Sequence, residues 1–134
     1  MLEIFNVGVD IIEVDRIRKA AENTPGFLER VFTDKEIDYC LKKNKVKYQN
    51  FAARFAAKEA VAKSLMQGMG KYVSFREIEI HNRKNGAPYV QLHSSTLQYS
   101  RKIRIKEIKI SLSATEKMAT AFAVSILSNP NAKD

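Results

Sequence analysis

The chain has 134 residues, 45% of them hydrophobic, and a formal net charge of +8 at pH 7. This length suits one domain with a sizeable core, and no run of about 18 apolar residues is available for a membrane span. Cys40 is the only cysteine, which excludes an intrachain disulfide and a cysteine-based zinc site. The N-terminus shows no secretory signal pattern, so we expect a cytoplasmic protein.

The positive charge is concentrated in two segments, LKKNKVK at 41–47 and RKIRIKEIK at 101–109. A field of this sign attracts nucleic acid, phosphorylated small molecules or an acidic protein. On charge alone, nucleic acid ranks first among these ligands. Lysines that are simply solvated at the surface are the alternative explanation.

The N-terminal part is predicted to hold one strand followed by short helices. Residues 4–14 are rich in isoleucine and valine, which indicates a mostly buried strand. A helix should follow over 15–23 and stop before Pro25, because proline cannot continue it. Residues 26–32 have room for one or two further helical turns.

The middle of the chain is predicted to be helical. Thr33 and Glu36 form a capping-box pattern, which should open a helix towards Lys43. The longest helix should run from about Val46 to Gln67 and end at Gly68, a residue type typical of helix C-termini. Because this helix is apolar or small on nearly all sides, we expect it to be buried.

The remaining elements are mainly strands. Residues 74–80 alternate in polarity, which predicts a strand with Ile78 and Ile80 inward and Glu77 and Glu79 outward. Beyond it we expect a hairpin turn at Asn85-Gly86 with a partner strand within 84–92, a short helix from Ser94 or Ser95 to 103, and strands over 108–113 and 117–127. The last strand alternates large and small apolar residues, so both of its faces should be covered. Helices placed between a first strand and later antiparallel strands indicate an α+β fold.

Four charged residues lie on the helix that should be buried: Arg54, Lys58, Glu59 and Lys63. At 100° per residue, Lys58 falls inside the apolar arc, Glu59 falls at its edge, and Lys63 lies one turn beyond Glu59. Buried charges require partners. Either Glu59 and Lys63 pair with each other while Arg54 and Lys58 reach water through their long stems, or the four charges meet a ligand.

A second anomaly is Asp10, which interrupts the apolar first strand. Gly8 on the same face leaves room for close approach of another group. Asp10 either ends the strand or faces Glu59, and two facing carboxylates repel unless a cation lies between them. His81 and His93 are interpreted as surface residues, so the cation would be Mg²⁺, completed by water and substrate phosphates. The nearby lysines and arginine would then contact phosphate.

Two segments together, VGVDIIEVDRI at 7–17 and ARFAAKEAVAKSL at 53–65, resemble the holo-acyl carrier protein synthases, the small 4′-phosphopantetheinyl transferases of bacterial fatty acid synthesis. Four shorter motifs match in order and spacing: FTDKE, SFREIEI, NGAPYV and SLS. The resemblance implies an α+β fold with one long buried helix packed on a mainly antiparallel sheet. We expect a single domain over 1–127, a frayed tail over 128–134, and a homotrimer that binds coenzyme A between subunits.

The resemblance also implies roles for individual residues. Asp10 and Glu59 match the Mg²⁺-binding carboxylates, and with Lys63 they match the catalytic set. The positions implied to bind coenzyme A are Arg54, Lys58, Lys63, Gly68, Gly70 and Ser113. Arg16 matches a residue that docks the acidic acyl carrier protein, and Arg18 would assist it.

The implied reaction is Mg²⁺-dependent transfer of 4′-phosphopantetheine from coenzyme A to a serine of the apo carrier, releasing adenosine 3′,5′-bisphosphate. One position departs from the family, because Ala114 stands where a histidine that contacts nucleotide phosphates is usual. Ser113 or Thr115 could supply a substitute hydrogen bond. The alternatives are a catalytically weakened, carrier-binding paralogue and a nucleic-acid-binding module. The second is disfavoured because the aromatic residues fall in the helix stripe or at turns and no RRM, KH or helix-turn-helix signature is present. We therefore expect neither nucleic acid nor membrane as a partner.

Overall fold

The computed structural model describes residues 3–129. A first strand is followed by helices, then a hairpin, one further helix and two long strands. The strands are β1 (Glu3–Glu13), β2 (Ile78–Asn82), β3 (Pro88–Leu92), β4 (Ile105–Ala114) and β5 (Met118–Leu127). The helices are α1 (Val14–Asn23), α2 (Phe27–Val31), α3 (Asp34–Leu41), α4 (Lys47–Ser64) and α5 (Ser94–Lys102).

Two antiparallel sheets form the β part of the fold. The larger has the strand order β1-β5-β4, so the first strand of the chain lies beside the last. Its register pairs Gly8 with Ala123 and Asp10 with Ala121. The smaller sheet is the β2–β3 hairpin, whose turn contains the predicted Asn85-Gly86 pair. The predicted α+β class, with a long helix on antiparallel strands, is confirmed.

Helix α4 is buried because small residues on the helix and on β5 allow close packing. The β5 residues facing α4 are nearly inaccessible, as are most of the alanines of the helix. The β5 residues are Ala119, Ala121, Ala123 and Ser125. This match of small side chains brings α4 against all three strands of the larger sheet.

The other face of the larger sheet is open to solvent. Val9 and Ile11 of β1 are 58% and 65% exposed, and Phe122 of β5 is 44% exposed. The prediction that both faces of the last strand are covered is therefore wrong for this chain taken singly. Alternation alone shows which residues share a face but not what lies against that face.

Of two helix ends predicted from the sequence, the start of α3 is confirmed and the end of α4 is wrong. The capping box is confirmed, since Thr33 Oγ1 accepts from the Glu36 amide and a Glu36 carboxylate oxygen accepts from the Thr33 amide. The predicted cap at Gly68 is wrong. Helix α4 ends at Ser64, and the left-handed residue after it is Met66, with φ of 59°.

The prediction that Glu79 points outward is also wrong. Glu79 is only 5% exposed, and its carboxylate accepts a hydrogen bond from Thr33 Oγ1. The Nε2 atoms of His81 and His93 lie 2.8 and 3.0 Å from Glu79 Oε1. Burial acts to raise the pKa of Glu79, but the hydrogen bonds from Thr33 and His93 and the charge of His81 outweigh it and leave the pKa lowered. The two histidines predicted at the surface thus belong to a half-buried network.

The residue that follows β5 contacts the residue that precedes β4. The amide of Ser128 donates to the carbonyl of Arg104 over 2.8 Å. The rest of the tail prediction, over 130–134, lies outside the described residues. Within 3–129, no helix is both long and apolar enough to cross a bilayer.

Candidate functional site

The site is built where β1 and α4 touch, backbone to backbone, at Gly8. A Cβ added at this glycine would lie 2.0 Å from the carbonyl oxygen of Ala60 and 2.9 Å from Cβ of Lys63. Only a residue without a side chain permits this approach. Asp10 follows two residues later on the same face of the strand and therefore faces the helix beside Glu59 and Lys63.

Lys63 links the helix to the strand. Its Nζ donates to the carbonyl of Val9 over 2.8 Å and lies 3.4 Å from Oδ1 of Asp10. The Asp10 side chain is 19% exposed, whereas that of Lys63 is 54% exposed. Of the two interpretations of the helix charges, the internal Glu59–Lys63 pair is not found, since Lys63 reaches across to β1 instead. The prediction that Asp10 faces the helix carboxylate, rather than ending the strand, agrees with this geometry.

The carboxylate of Glu59 is affected both by burial and by the charge of Asp10. Burial raises the pKa of Glu59 above its ordinary value of 4.5, the charge of Asp10 raises it further, and Lys63 partly opposes the shift. Two carboxylates with a single ammonium beside them leave an excess of negative charge. A cation bound there would relieve it.

The donor set of this pair fits Mg²⁺ rather than a transition metal. Across 3–129, no group of three or more histidine, cysteine, aspartate or glutamate side chains is arranged to hold a metal. The pair thus offers hard oxygens, and the remaining ligands must come from water or from a bound substrate. That is the usual arrangement for protein-bound Mg²⁺.

Lys58 is not part of this site. Its side chain is fully buried, and Nζ donates to Glu36 Oε1 over 2.7 Å and to the carbonyls of Phe75 and Ile78. Burial lowers the pKa of Lys58, and the carboxylate of Glu36 opposes that shift. All three of its donor positions are satisfied inside the core, so the prediction that Lys58 binds coenzyme A is wrong. The helical wheel placed Lys58 correctly in the apolar arc but could not show the acid contributed by α3.

Arg54 is also inside the protein, with 3% of its surface exposed. Its Nη2 donates to Oδ1 of Asn82, and its guanidinium carbon lies 4.2 Å from the ring centroid of Tyr39. The Nε of Arg54 is buried and has no hydrogen-bond partner in the part of the chain that the structure describes. The alternative that Arg54 reaches water through its stem is wrong, while its role towards a ligand stays a prediction.

Gly68 and Gly70 lie in the exposed segment that follows α4, beyond Lys63. A Cβ on either residue would meet nothing within 4 Å, and Gly70 has φ of 122°, a conformation that favours glycine. Their backbone is therefore accessible at the same end of the helix as Lys63. A ligand could approach it closely.

Ser113 is not brought to the site within one chain. It pairs with Thr120, which pairs with Ile11, and this row of residues lies on the open face of the sheet. Asp10 lies on the opposite face, against α4. A contact between Ser113 and the same ligand therefore requires a second subunit. Ala114 is exposed at the end of β4.

Arg16 and Arg18 lie on α1, which follows β1 directly, but their surroundings differ. Arg18 forms intrahelical ion pairs with Asp15 and, over 2.8 Å, with Glu22. Arg16 is exposed and makes no ion pair within the described residues. Arg16 is thus the more available of the two for an acidic partner.

Sequence reasoning missed a groove of about 560 Å³ at the other end of α4. Its walls include Glu13 at the end of β1, Val14 at the start of α1, and Met118 at the start of β5. Lys45 lies just before α4 and Tyr48 in its first turn. The basic run at 41–47 was the only signal in the sequence that pointed to this region. The groove begins three residues beyond Asp10 along the chain.

Comparison with known proteins matches this chain and its fold to one family. Residues 6–123 match the family model of the 4′-phosphopantetheinyl transferase superfamily. The chain is 47% identical over 119 residues to the holo-[acyl-carrier-protein] synthase of Ruminiclostridium cellulolyticum, covering 88% of this chain and 89% of that one. The holo-ACP synthase of Plasmodium yoelii has a structure with a TM-score of 0.84 at 30% identity, covering 96% and 99% of the two chains. The Helicobacter pylori synthase, solved in complex with coenzyme A, gives a TM-score of 0.77 at 33% identity over 89% and 98%.

Proposed function

This chain belongs to the 4′-phosphopantetheinyl transferase superfamily, and we propose that it acts as a holo-[acyl-carrier-protein] synthase. It would transfer 4′-phosphopantetheine from coenzyme A to a serine of an apo acyl carrier protein and release adenosine 3′,5′-bisphosphate. The observation that carries this proposal is the convergence of Asp10 from β1 with Glu59 and Lys63 from α4. These are the positions that the resemblance assigns to the metal and the pyrophosphate.

In the transfer, the serine oxygen of the carrier forms a bond to the β-phosphorus of coenzyme A, and the bond from that phosphorus to the bridging oxygen breaks. Mg²⁺ held by Asp10 and Glu59 would offset charge on the pyrophosphate. Nζ of Lys63 lies beside Asp10, so it can stabilise or protonate the leaving oxygen. Glu59 is one group in the site that can accept the serine proton.

The nucleotide phosphates of coenzyme A would meet Arg54 and the glycine segment. Among residues 3–129, the buried Nε of Arg54 has no hydrogen-bond partner, and a polar group left unsatisfied inside a protein is costly until it finds one. Gly68 and Gly70 expose backbone at the Lys63 end of α4. Both features favour an anionic ligand along this helix.

A homotrimer would cover the open face of the larger sheet and complete the site. The exposed side chains of Val9, Ile11 and Phe122 form an apolar surface that a single chain leaves in water. Ser113 lies on this same face. Assembly through this face would allow Ser113 of one subunit to contact coenzyme A bound to the next.

The acyl carrier protein would dock on α1, with the exposed Arg16 as its main contact and Arg18 in support. Because the carrier is acidic, the net charge of +8 would accelerate encounter, and the rate would fall with added salt. The proposed setting is fatty acid biosynthesis in the cytoplasm.

One observation favours a second candidate, a carrier-binding paralogue with weak transferase activity. Ala114 is exposed at the end of β4 and has no side-chain donor for a phosphate. Thr115 does not replace it readily, since its hydroxyl donates to the carbonyl of Met118 over 3.4 Å and accepts from the Met118 amide over 3.1 Å.

The test is mass spectrometry of an apo acyl carrier protein incubated with this chain, coenzyme A and Mg²⁺. The proposal requires a mass gain of one phosphopantetheine group, which disappears when the metal is chelated. No mass gain with any divalent metal, while the carrier still binds, would instead support the paralogue.

A further inference from the structure

Helix α4 ends in a motif that normally requires glycine. The amide of Met66 donates to the carbonyl of Lys63 over 2.9 Å, and the amide of Gln67 donates to that of Ala62 over 3.1 Å. This pair of bonds is the Schellman motif, whose residue after the cap is left-handed and is usually glycine. Here that residue is Met66, with φ of 59°, so its Cβ is held in a strained position.

The energetic cost of this backbone conformation is not offset by packing of the Met66 side chain in the core. Met66 is 64% exposed, whereas its neighbour Leu65 is fully buried. A flexible apolar side chain in water at a strained position contributes nothing evident to folding. Strain that folding does not explain is a reason to look for a functional contact.

The position of Met66 points to the proposed substrate. The amide of Met66 lies within hydrogen-bond distance, 2.9 Å, of the carbonyl of Lys63, so Met66 stands directly at the end of the helix that carries Lys63 and Glu59. An exposed apolar group therefore lies just beyond the two α4 residues that face the reacting phosphate.

We propose that Met66 contacts the apolar start of the pantetheine arm of coenzyme A, an inference that rests on the proposed function. The carbon with two methyl groups lies only one methylene beyond the phosphate ester oxygen. A ligand whose β-phosphate lies at Lys63 would place these methyl groups close to the segment that begins at Met66. The unbranched thioether of methionine adapts its shape to such a surface. Met66 is thus a positioning residue for the arm of the substrate.

The test compares binding of coenzyme A with binding of adenosine 3′,5′-bisphosphate, which lacks the arm, by calorimetric titration in Mg²⁺. The variants are Met66→Ala, which keeps a Cβ at positive φ, and Met66→Gly, which removes the strain. Both should weaken coenzyme A binding roughly tenfold, the effect of losing one buried methionine contact. Both should leave the dissociation constant of the bisphosphate within about twofold of the original. The melting temperature should rise in Met66→Gly alone.

Three outcomes are informative. Equal loss of coenzyme A affinity in the two variants, with the bisphosphate unaffected, establishes the arm contact independently of strain. Unchanged coenzyme A binding in both variants, or equal weakening of both ligands, overturns it. If the unmodified chain binds neither ligand and transfers nothing, the proposed function itself fails.

Discussion

The ammonium of Lys63 lies 3.4 Å from a carboxylate oxygen of Asp10, although 53 positions separate the two residues in the chain. Neither residue could reach the other without the bare backbone of Gly8, which lets β1 rest directly on α4. The site therefore depends on one packing contact as much as on its charged groups.

That dependence predicts the effect of Gly8→Ala. The added Cβ would lie 2.0 Å from the backbone oxygen of Ala60, so strand and helix must separate. We expect the unfolding free energy to fall by about 1–3 kcal/mol or more, as for an overpacked core, and most transferase activity to be lost. Urea unfolding and the carrier assay measure both quantities. Gly68→Ala is the matched control for stability, because its Cβ meets nothing within 4 Å, and its unfolding free energy should be nearly unchanged. Comparable destabilisation of both variants would contradict the close-contact argument.

Substitution of Lys58 should reduce stability, whereas substitution of Lys63 should reduce activity. Lys58→Met leaves the carboxylate of Glu36 buried without its cation, and breaking a buried ion pair in this way costs about 3–5 kcal/mol. Its KM for coenzyme A should not change in the folded fraction. Lys63→Met should have the reverse effect, with little change in unfolding free energy and a large fall in kcat. A raised KM in a stable Lys58→Met protein would restore Lys58 as a ligand.

Self-association should depend on the open sheet face. Val9→Glu places a charge in the middle of this face, where Val9 is 58% exposed in the single chain. We expect light scattering to show a trimer for the unmodified chain and a monomer for this variant, because a buried unpaired charge is costly. Lys84→Glu in the hairpin turn is the control and should remain a trimer. A monomeric unmodified chain would contradict the assembly.

The two arginines of α1 should contribute unequally to carrier binding. Arg16→Glu should raise the KM for the carrier roughly tenfold or more, because it replaces an available positive charge with a negative charge that repels the acidic partner. Arg18→Glu should have a smaller direct effect, since Arg18 is already paired with Asp15 and Glu22. The measurement is steady-state kinetics at fixed coenzyme A and low salt. Equal effects of the two substitutions would refute the assignment of Arg16 as the main contact.

Much of this fold could be predicted because some elements depend only on residues that are close together in the sequence. Thr33 and Glu36 form their capping box as expected, and Asn85-Gly86 lies in the hairpin turn. The anomaly of Asp10 beside Gly8 in an apolar strand also pointed directly to the contact with α4. In each case, the chemistry of a few adjacent residues determined the outcome.

The errors arose where a distant segment determines the environment. Nothing near Lys58 reveals that Glu36 will meet it, and nothing near Glu79 reveals Thr33 and the two histidines. The sequence predicts the end of α4 at Gly68 because glycine is typical of helix C-termini, whereas in the structure Met66 occupies the left-handed position.

Metal binding should depend on pH through Glu59. The pKa of Glu59 is raised in the folded chain, so protonated Glu59 stabilises the folded state below pH 4.5, its ordinary pKa. This contribution to stability is lost as the pH rises through the higher pKa of the folded chain. Above that value, both carboxylates are charged, and a divalent ion relieves their repulsion. Metal affinity should therefore be high at neutral pH and fall as pH is lowered through the pKa of Glu59.

The most direct measurement is calorimetric titration of Mg²⁺ into the coenzyme A-saturated protein, comparing the unmodified chain with Asp10→Asn and Glu59→Gln. If the two carboxylates bind one ion, each substitution should reduce affinity at least roughly tenfold at neutral pH, and Glu59→Gln should remove the dependence on the Glu59 proton. The melting temperature of each variant should not fall. Undiminished Mg²⁺ affinity in either variant would show that the ion is held elsewhere.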